Sequence, residues 1–152
     1  MGWVAPVASA VTAVTSVAAA QQASATGKYN QAVQERNAVI AEQEAERIEQ
    51  QKEFDIARFE DSFTRLQGET KTKIIKSGAE LSGSGLRVMR YNAEQAEIEK
   101  NIIAYNAKVA QSQKLEQANF ARISGNVARM EARQAELGYY VQAGQSLLSN
   151  YG

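Results

Sequence analysis

Three stretches of the chain carry residue types that could do chemistry. The first is acidic: Glu42, Glu44, Glu46, Glu49, Glu53 and Asp55 follow one another closely. Carboxylates hold a hard cation when a fixed frame makes them converge. Strung along one exposed helix, they form a solvated face instead. The second stretch is Gly83-Ser84-Gly85, a small-residue step of the kind that cradles phosphate ahead of a helix. It lacks the Gly-Lys-Ser/Thr continuation and a preceding strand, so a helix start explains it better. The third is Arg87, Arg90 and Tyr91, where cations and an aromatic ring interleave as they do on nucleic-acid backbones. Neighbouring acids and a capped helix start account for it more simply. No catalytic constellation emerges, so no enzymatic activity, metal site or cofactor is expected.

The inventory of residues agrees. The 152 residues include no His and no Cys. That removes the commonest general base, the usual zinc ligands, the thiolate nucleophile and any disulfide framework. Lys and Arg number 17 and Asp and Glu 17, which argues against a general nucleic-acid binder. Of the hydrophobic residues 26 are Ala, while Val, Ile, Leu and Phe together number 31. An Ala-rich helical protein follows, with too little bulk for an ordinary globular core.

All the charges lie between Lys28 and Glu136. The chain therefore divides into an apolar head (1–27), a charged middle (28–136) and a neutral tail (137–152). The middle splits in turn into two Pro-free helical runs, 28–76 and 86–136, each about 75 Å long at 1.5 Å per residue. Between them Ser77, Gly78, Leu81, Ser82, Gly83, Ser84 and Gly85 mark a sharp reversal. Gly78 suits the position just past a helix C-terminus, after Lys71, Lys73 and Lys76, and Ser82 or Ser84 suits the next N-cap.

Apolar bulk follows helical steps on both runs. On the first it gathers at Phe54, Ile56, Phe59, Phe63 and Leu66. On the second, Val88, Tyr91, Gln95, Ile98, Ile102, Tyr105 and Val109 keep 3-4 spacing, and Phe120, Ile123, Val127 and Met130 resume it after an eleven-residue step. Folding about Leu81–Ser82 matches Leu66 with Ile98, Phe63 with Ile102, Phe59 with Tyr105 and Phe54 with Val109. It also matches Ile48 with Leu115, Ile40 with Ile123 and Val33 with Met130. The expected packing seam is thus Phe54, Phe59, Phe63, Leu66, Val88, Tyr91, Ile98, Ile102, Tyr105 and Val109. The acid-rich stretch 42–61 would lie largely opposite the base-rich stretch 100–133. The arms bury too little to stand as a lone hairpin, so oligomerisation is expected.

The head, with Trp3, Val4, Val7, Val11, Val14 and Val17, is about 28 Å long as a helix from Gly2 to Ala20, close to a bilayer's hydrocarbon thickness. Pro6 falls where a first helical turn tolerates it. Three readings stand side by side: a segment packed on protein, a segment that enters membranes conditionally, and a signal peptide ending near Ala18-Ala19-Ala20. The last lacks a basic leading region.

One region carries a resemblance. Arg65-Leu66-Gln67-Gly68 is followed by a turn with Ser77, Gly78, Leu81, Ser82, Gly83, Ser84, Leu86 and Val88. Then come Glu94, Ala96, Glu97 and Ile98, and finally Tyr105-Asn106-Ala107. This pattern resembles the internal virion proteins of short-tailed phages, also called core or ejection proteins, and in particular the smallest of the three such proteins. Gly85 stands where that family commonly has Pro.

The resemblance implies a non-enzymatic structural protein stored inside the capsid near the portal. It implies release into the host envelope on infection, where the protein helps form a channel across the outer membrane. The implied partners are further copies of itself, other internal virion proteins, portal and tail proteins and the host membrane, with genomic DNA as passing cargo only. The expected fold is all-α: an antiparallel hairpin of two long helices with an apolar N-terminal helical segment, assembled as an oligomeric ring. Two alternatives remain at this point: a periplasmic or secreted coiled-coil chaperone or adhesin with a cleaved signal peptide, and a tail or scaffold protein with no membrane role.

Overall fold

The computed structural model describes residues 5–78 and 83–148, with only the backbone for 5–13. Among the described residues all but Ser77, Gly78 and Gly83 are helical. Helix α1 spans Ala5–Lys76 and helix α2 spans Ser84–Leu148, and the two pack against each other. The described part of the apolar head, 5–27, is thus the start of α1, and that of the neutral tail, 137–148, the end of α2. Pro6 falls in the first turn of α1, where the N–H it lacks would have no partner within the helix.

Two compact units follow boundaries other than those drawn by charge. One combines Met1–Ala41 with Gln117–Gly152, and the other is Glu42–Glu116. The second holds the reversal and is a helical hairpin. Gly78 has φ 73°, and its N–H donates to the Ile75 carbonyl at 3.1 Å. A left-handed glycine satisfying a carbonyl of the last turn is a standard helix stop. The Ser77 hydroxyl donates to the Ile74 carbonyl at 2.7 Å, relieving a second one. At the far side Gly83 also has φ 73°, and its carbonyl accepts the Arg87 N–H at 3.2 Å. Gly83, rather than Ser84, therefore occupies the N-cap position. The reversal needs a left-handed residue there, which glycine adopts without strain. Leu81 and Ser82 lie outside the described residues.

The contact between the helices departs from the expected seam. The buried apolar side chains are all alanines: Ala20, Ala38, Ala41, Ala118, Ala121 and Ala143 in the first unit, Ala45 and Ala96 in the hairpin. Ala38, Ala41, Ala118 and Ala121 form one cluster, with Ala38 fully buried. Glycines bring the backbones closer still. A Cβ on Gly27 would overlap the Ala132 Cβ, and one on Gly125 would lie 3.0 Å from the Gln34 Cβ. The register is shifted as well. Glu60 pairs with Lys100, where folding about Leu81–Ser82 would set it opposite Ile103. Gly27 meets Ala132 where the expected partner is Glu136. The offset is about one helical turn.

These environments separate two glycines on one helix. Gly68 has open space around its missing Cβ. Gly68→Ala should therefore stabilise by about 1 kcal/mol through helix propensity, raising Tm by about 2–4 °C for a chain of this size. Gly27→Ala should lower Tm despite the same propensity gain, because Ala132 must be displaced. Thermal melts followed by circular dichroism at 222 nm check both.

Candidate assembly surface

Helix α2 presents two faces in the hairpin unit, and both keep the same spacing. Ala93, Ala96, Lys100, Ile103, Ala107 and Ala110 are buried or half-buried. Val88, Tyr91, Ile98, Ile102, Tyr105 and Val109 are exposed, with Ile98 at 50% and Tyr105 at 68%. The second set is displaced from the first by one to two residues. At about 100° per residue, that turns it to the far side of the helix. On α1, Phe54 and Leu66 are likewise exposed. Of the expected seam only Phe59 and Phe63 are half-buried. Their rings stack with centroids 6.3 Å apart beside a hollow bordered by Leu66, Asn92, Gln95 and Ala96.

Phe54, Val88, Tyr91, Ile98, Ile102, Tyr105 and Val109 are therefore not the contact between the arms, and Leu66 stands at its edge. They form an outward apolar surface. The first unit repeats the pattern: Phe120, Ile123, Val127, Met130, Leu137, Val141 and Leu148 stand exposed along α2, with Phe120 at 71%. Isolated exposed hydrophobics are ordinary. A row of them at helical spacing is a candidate interaction surface.

Ion pairs flank the alanine contact. In the hairpin, Lys114 Nζ lies 2.6 Å from Glu44 and Lys100 Nζ lies 2.8 Å from Glu60. In the first unit, Arg122 meets Glu35 at 3.2 Å, and Gln31 accepts from Arg129 at 2.8 Å. Such pairs are exposed and individually weak. They form only with the small-residue faces turned inward, so they select register and face. The acidic run is spent in this way: Glu44 pairs with Lys114 and Glu49 with Lys52 along its own helix. Among the described residues no acidic group is gathered to hold a metal ion. Arg87, Arg90 and Tyr91 are exposed at the start of α2.

The hydrogen bond and charge of Lys114 hold the Glu44 carboxyl below the usual glutamate range. The hydrogen bonds of Glu60 and then Glu97 hold the Lys100 ammonium above the usual lysine range.

Of the expected membrane-interacting residues, Trp3 and Val4 lie outside the described residues, as do the side chains of Val7 and Val11. Val14 is 70% exposed, and Val17 is exposed as well. Among the described residues no helix is long and apolar enough to cross a membrane. No family model, curated protein or solved structure matches the chain.

Two expectations follow. A carboxylate held low stabilises the fold above its unfolded value, and that contribution is lost as pH falls through its folded value. NMR titration should therefore place Glu44 below an ordinary glutamate, and Lys114→Gln should return it to the ordinary range and lessen the loss of stability on acidification. Lys100 runs the other way, contributing below the ordinary lysine range and losing that contribution as pH rises through its raised value. Separately, Ile98→Asp with Ile102→Asp should leave helicity intact while reducing self-association. Light scattering after size exclusion, run beside the parent chain, reads the change in mass.

Proposed function

We propose that this chain is a structural virion protein of a short-tailed phage, akin to the smallest internal ejection protein. In this reading it is stored near the portal and released into the host envelope, where copies help form a channel for the genome. The observation that carries it is the inverted distribution of side chains. The fully buried side chains are alanines, and most of the bulky apolar residues stand exposed, so burial of that bulk falls to other chains. The turn residues Ser77, Gly78, Gly83, Ser84, Leu86 and Val88, which carry the resemblance, support the same reading.

A ring of hairpins would bury the outward rows between neighbouring copies and keep the apolar head covered until release. Internal virion proteins and portal or tail proteins are the remaining partners, and the host membrane is the destination. DNA would pass as cargo, because a net charge of zero gives no general hold on phosphate. The small residues of the head let helices approach closely in lipid. Its modest hydrophobicity makes a single copy marginal there, so insertion would follow assembly.

Mass spectrometry of purified virions tests the reading. Many copies per particle, each retaining Gly2–Ala20, are expected. Absence from virions would reject it, and a mature N-terminus beyond Ala20 would favour the secreted coiled-coil alternative. Replacing Val11→Asp and Val14→Asp should abolish liposome permeabilisation while leaving helicity unchanged. Undiminished permeabilisation would reduce the head to an assembly segment.

A further inference from the structure

The two charge boundaries of the sequence meet in space. In the first unit Lys28, the charge nearest the start of α1, and Glu136, the charge nearest the end of α2, border one hollow with Arg129 and Arg133. Beyond that level the helices continue side by side. A second hollow runs across that level, from Asn30 and Glu131 on the charged side to Ala19 of α1 and Tyr139 of α2, and Ala20 and Ala143 are buried. From Val14 to Gly27 and from Leu137 to Leu148 no side chain is charged. Leu137, Tyr140, Val141, Leu147 and Leu148 stand exposed there, Leu148 at 76%.

We infer that residues 137–148, paired with 14–27 of α1, form a lipid-contacting end, so that the C-terminal tail enters the bilayer interface together with the head. The inference rests on the membrane role proposed above and extends it to a segment outside the head.

The absence of charge points to lipid as the occupant. At the outward row of the hairpin, Ile98 is apolar while Glu97, Glu99 and Lys100 occupy the other faces at the same height. That is the pattern of a protein contact, with an apolar strip and a charged rim. Gly27 lies against Ala132, so Glu136 stands about one turn beyond Lys28; past Glu136 charge is absent from every face of both helices. A surrounding hydrocarbon medium penalises charge on all faces alike, whereas a partner on one side does not. Tyr139 and Tyr140 follow the boundary directly, where aromatic rings with a polar tip are favoured at a water–lipid interface. The Ser146 hydroxyl donates to the Ala143 carbonyl at 2.8 Å, satisfying its proton within the helix, as a weakly hydrated environment requires. Gln142 and Gln145 set the depth at the interface rather than across the bilayer.

The test uses the full chain with Trp3→Phe and Tyr140→Trp, so that position 140 carries the sole indole, and phosphatidylcholine–phosphatidylglycerol vesicles with and without brominated acyl chains. The expected result is a blue-shifted emission, most of it lost on brominated lipid. The same reporter placed by Tyr105→Trp should keep its emission. Circular dichroism confirms that both variants fold. If the chain floats with vesicles while position 140 keeps its emission, the inference fails and the role of the head stands. If the emission instead shifts with protein concentration in the absence of lipid and ignores bromine, a second copy covers the tail and the inference fails. A chain that never floats overturns both the inference and the membrane role.

Discussion

The close approach of α1 and α2 is the constraint on which everything else depends. Gly27 leaves no room for a side chain against Ala132, and Gly125 leaves very little against Gln34. Backbones held that near leave room there for little more than Ala, Gly and the stems of longer polar side chains, while in the hairpin Phe59, Phe63 and Ile103 are half-buried. An alanine methyl buries far less area than a leucine or isoleucine side chain, and hydrophobic gain scales with area. The contact therefore specifies the pairing without burying the chain's bulk, and Ile98, Ile102, Tyr105, Phe120 and Leu148 are left outside. Exclusion from the inner face and exposure on the outer face are one fact seen from two sides.

Electrostatics completes the specification. Glu60 with Lys100, Glu44 with Lys114 and Glu35 with Arg122 add little stability each, yet all three are satisfied by one register and one choice of face. A register one turn away would meet different partners and would set Gln31, which carries a Cβ, where Gly27 now meets Ala132. Steric closeness and charge thus exclude the same alternatives, which is how a contact with few bulky side chains still defines one arrangement.

The sequence made the helices and the turn legible because their determinants are local. Long Pro-free runs of helix formers, and Gly78 and Gly83 in left-handed conformation, act within a few residues of themselves. The face and register of the contact were not legible, for a physical reason. Both faces of α2 repeat at steps of three and four, so period alone cannot tell Ala96, Ile103 and Ala107 from Ile98, Ile102 and Tyr105. Bulk favoured the second set, by the ordinary expectation that large apolar residues go inside. The signals against it were present in small form: Gly27 and Gly125 in helix interiors, where glycine is unfavourable unless a neighbour must come close, and alanines at 38, 41, 45, 118 and 121. On α2 the helical spacing of Val88, Tyr91, Ile98, Ile102, Tyr105 and Val109 was legible, but it pointed to the packing seam between the arms, whereas the row stands exposed. The pairing of the neutral tail with the head depends on register over the full helices, so no local pattern announced it.

Separate faces have a consequence for a protein proposed to act in two surroundings. If the contact within the chain and the contact between chains shared one face, leaving one assembly for another would unfold the helices, at the expense of the pairing itself. Here the alanine contact and its ion pairs lie on one side of α2, and the exposed rows lie on the other. Under the proposed role, partners on the outer rows could be exchanged, protein for protein or protein for lipid, without opening Gly27 against Ala132 or Glu60 against Lys100. The driving force for such an exchange is the same apolar area in each setting. What decides between settings is the charge on the remaining faces, which is plentiful around Ile98 and absent around Val141.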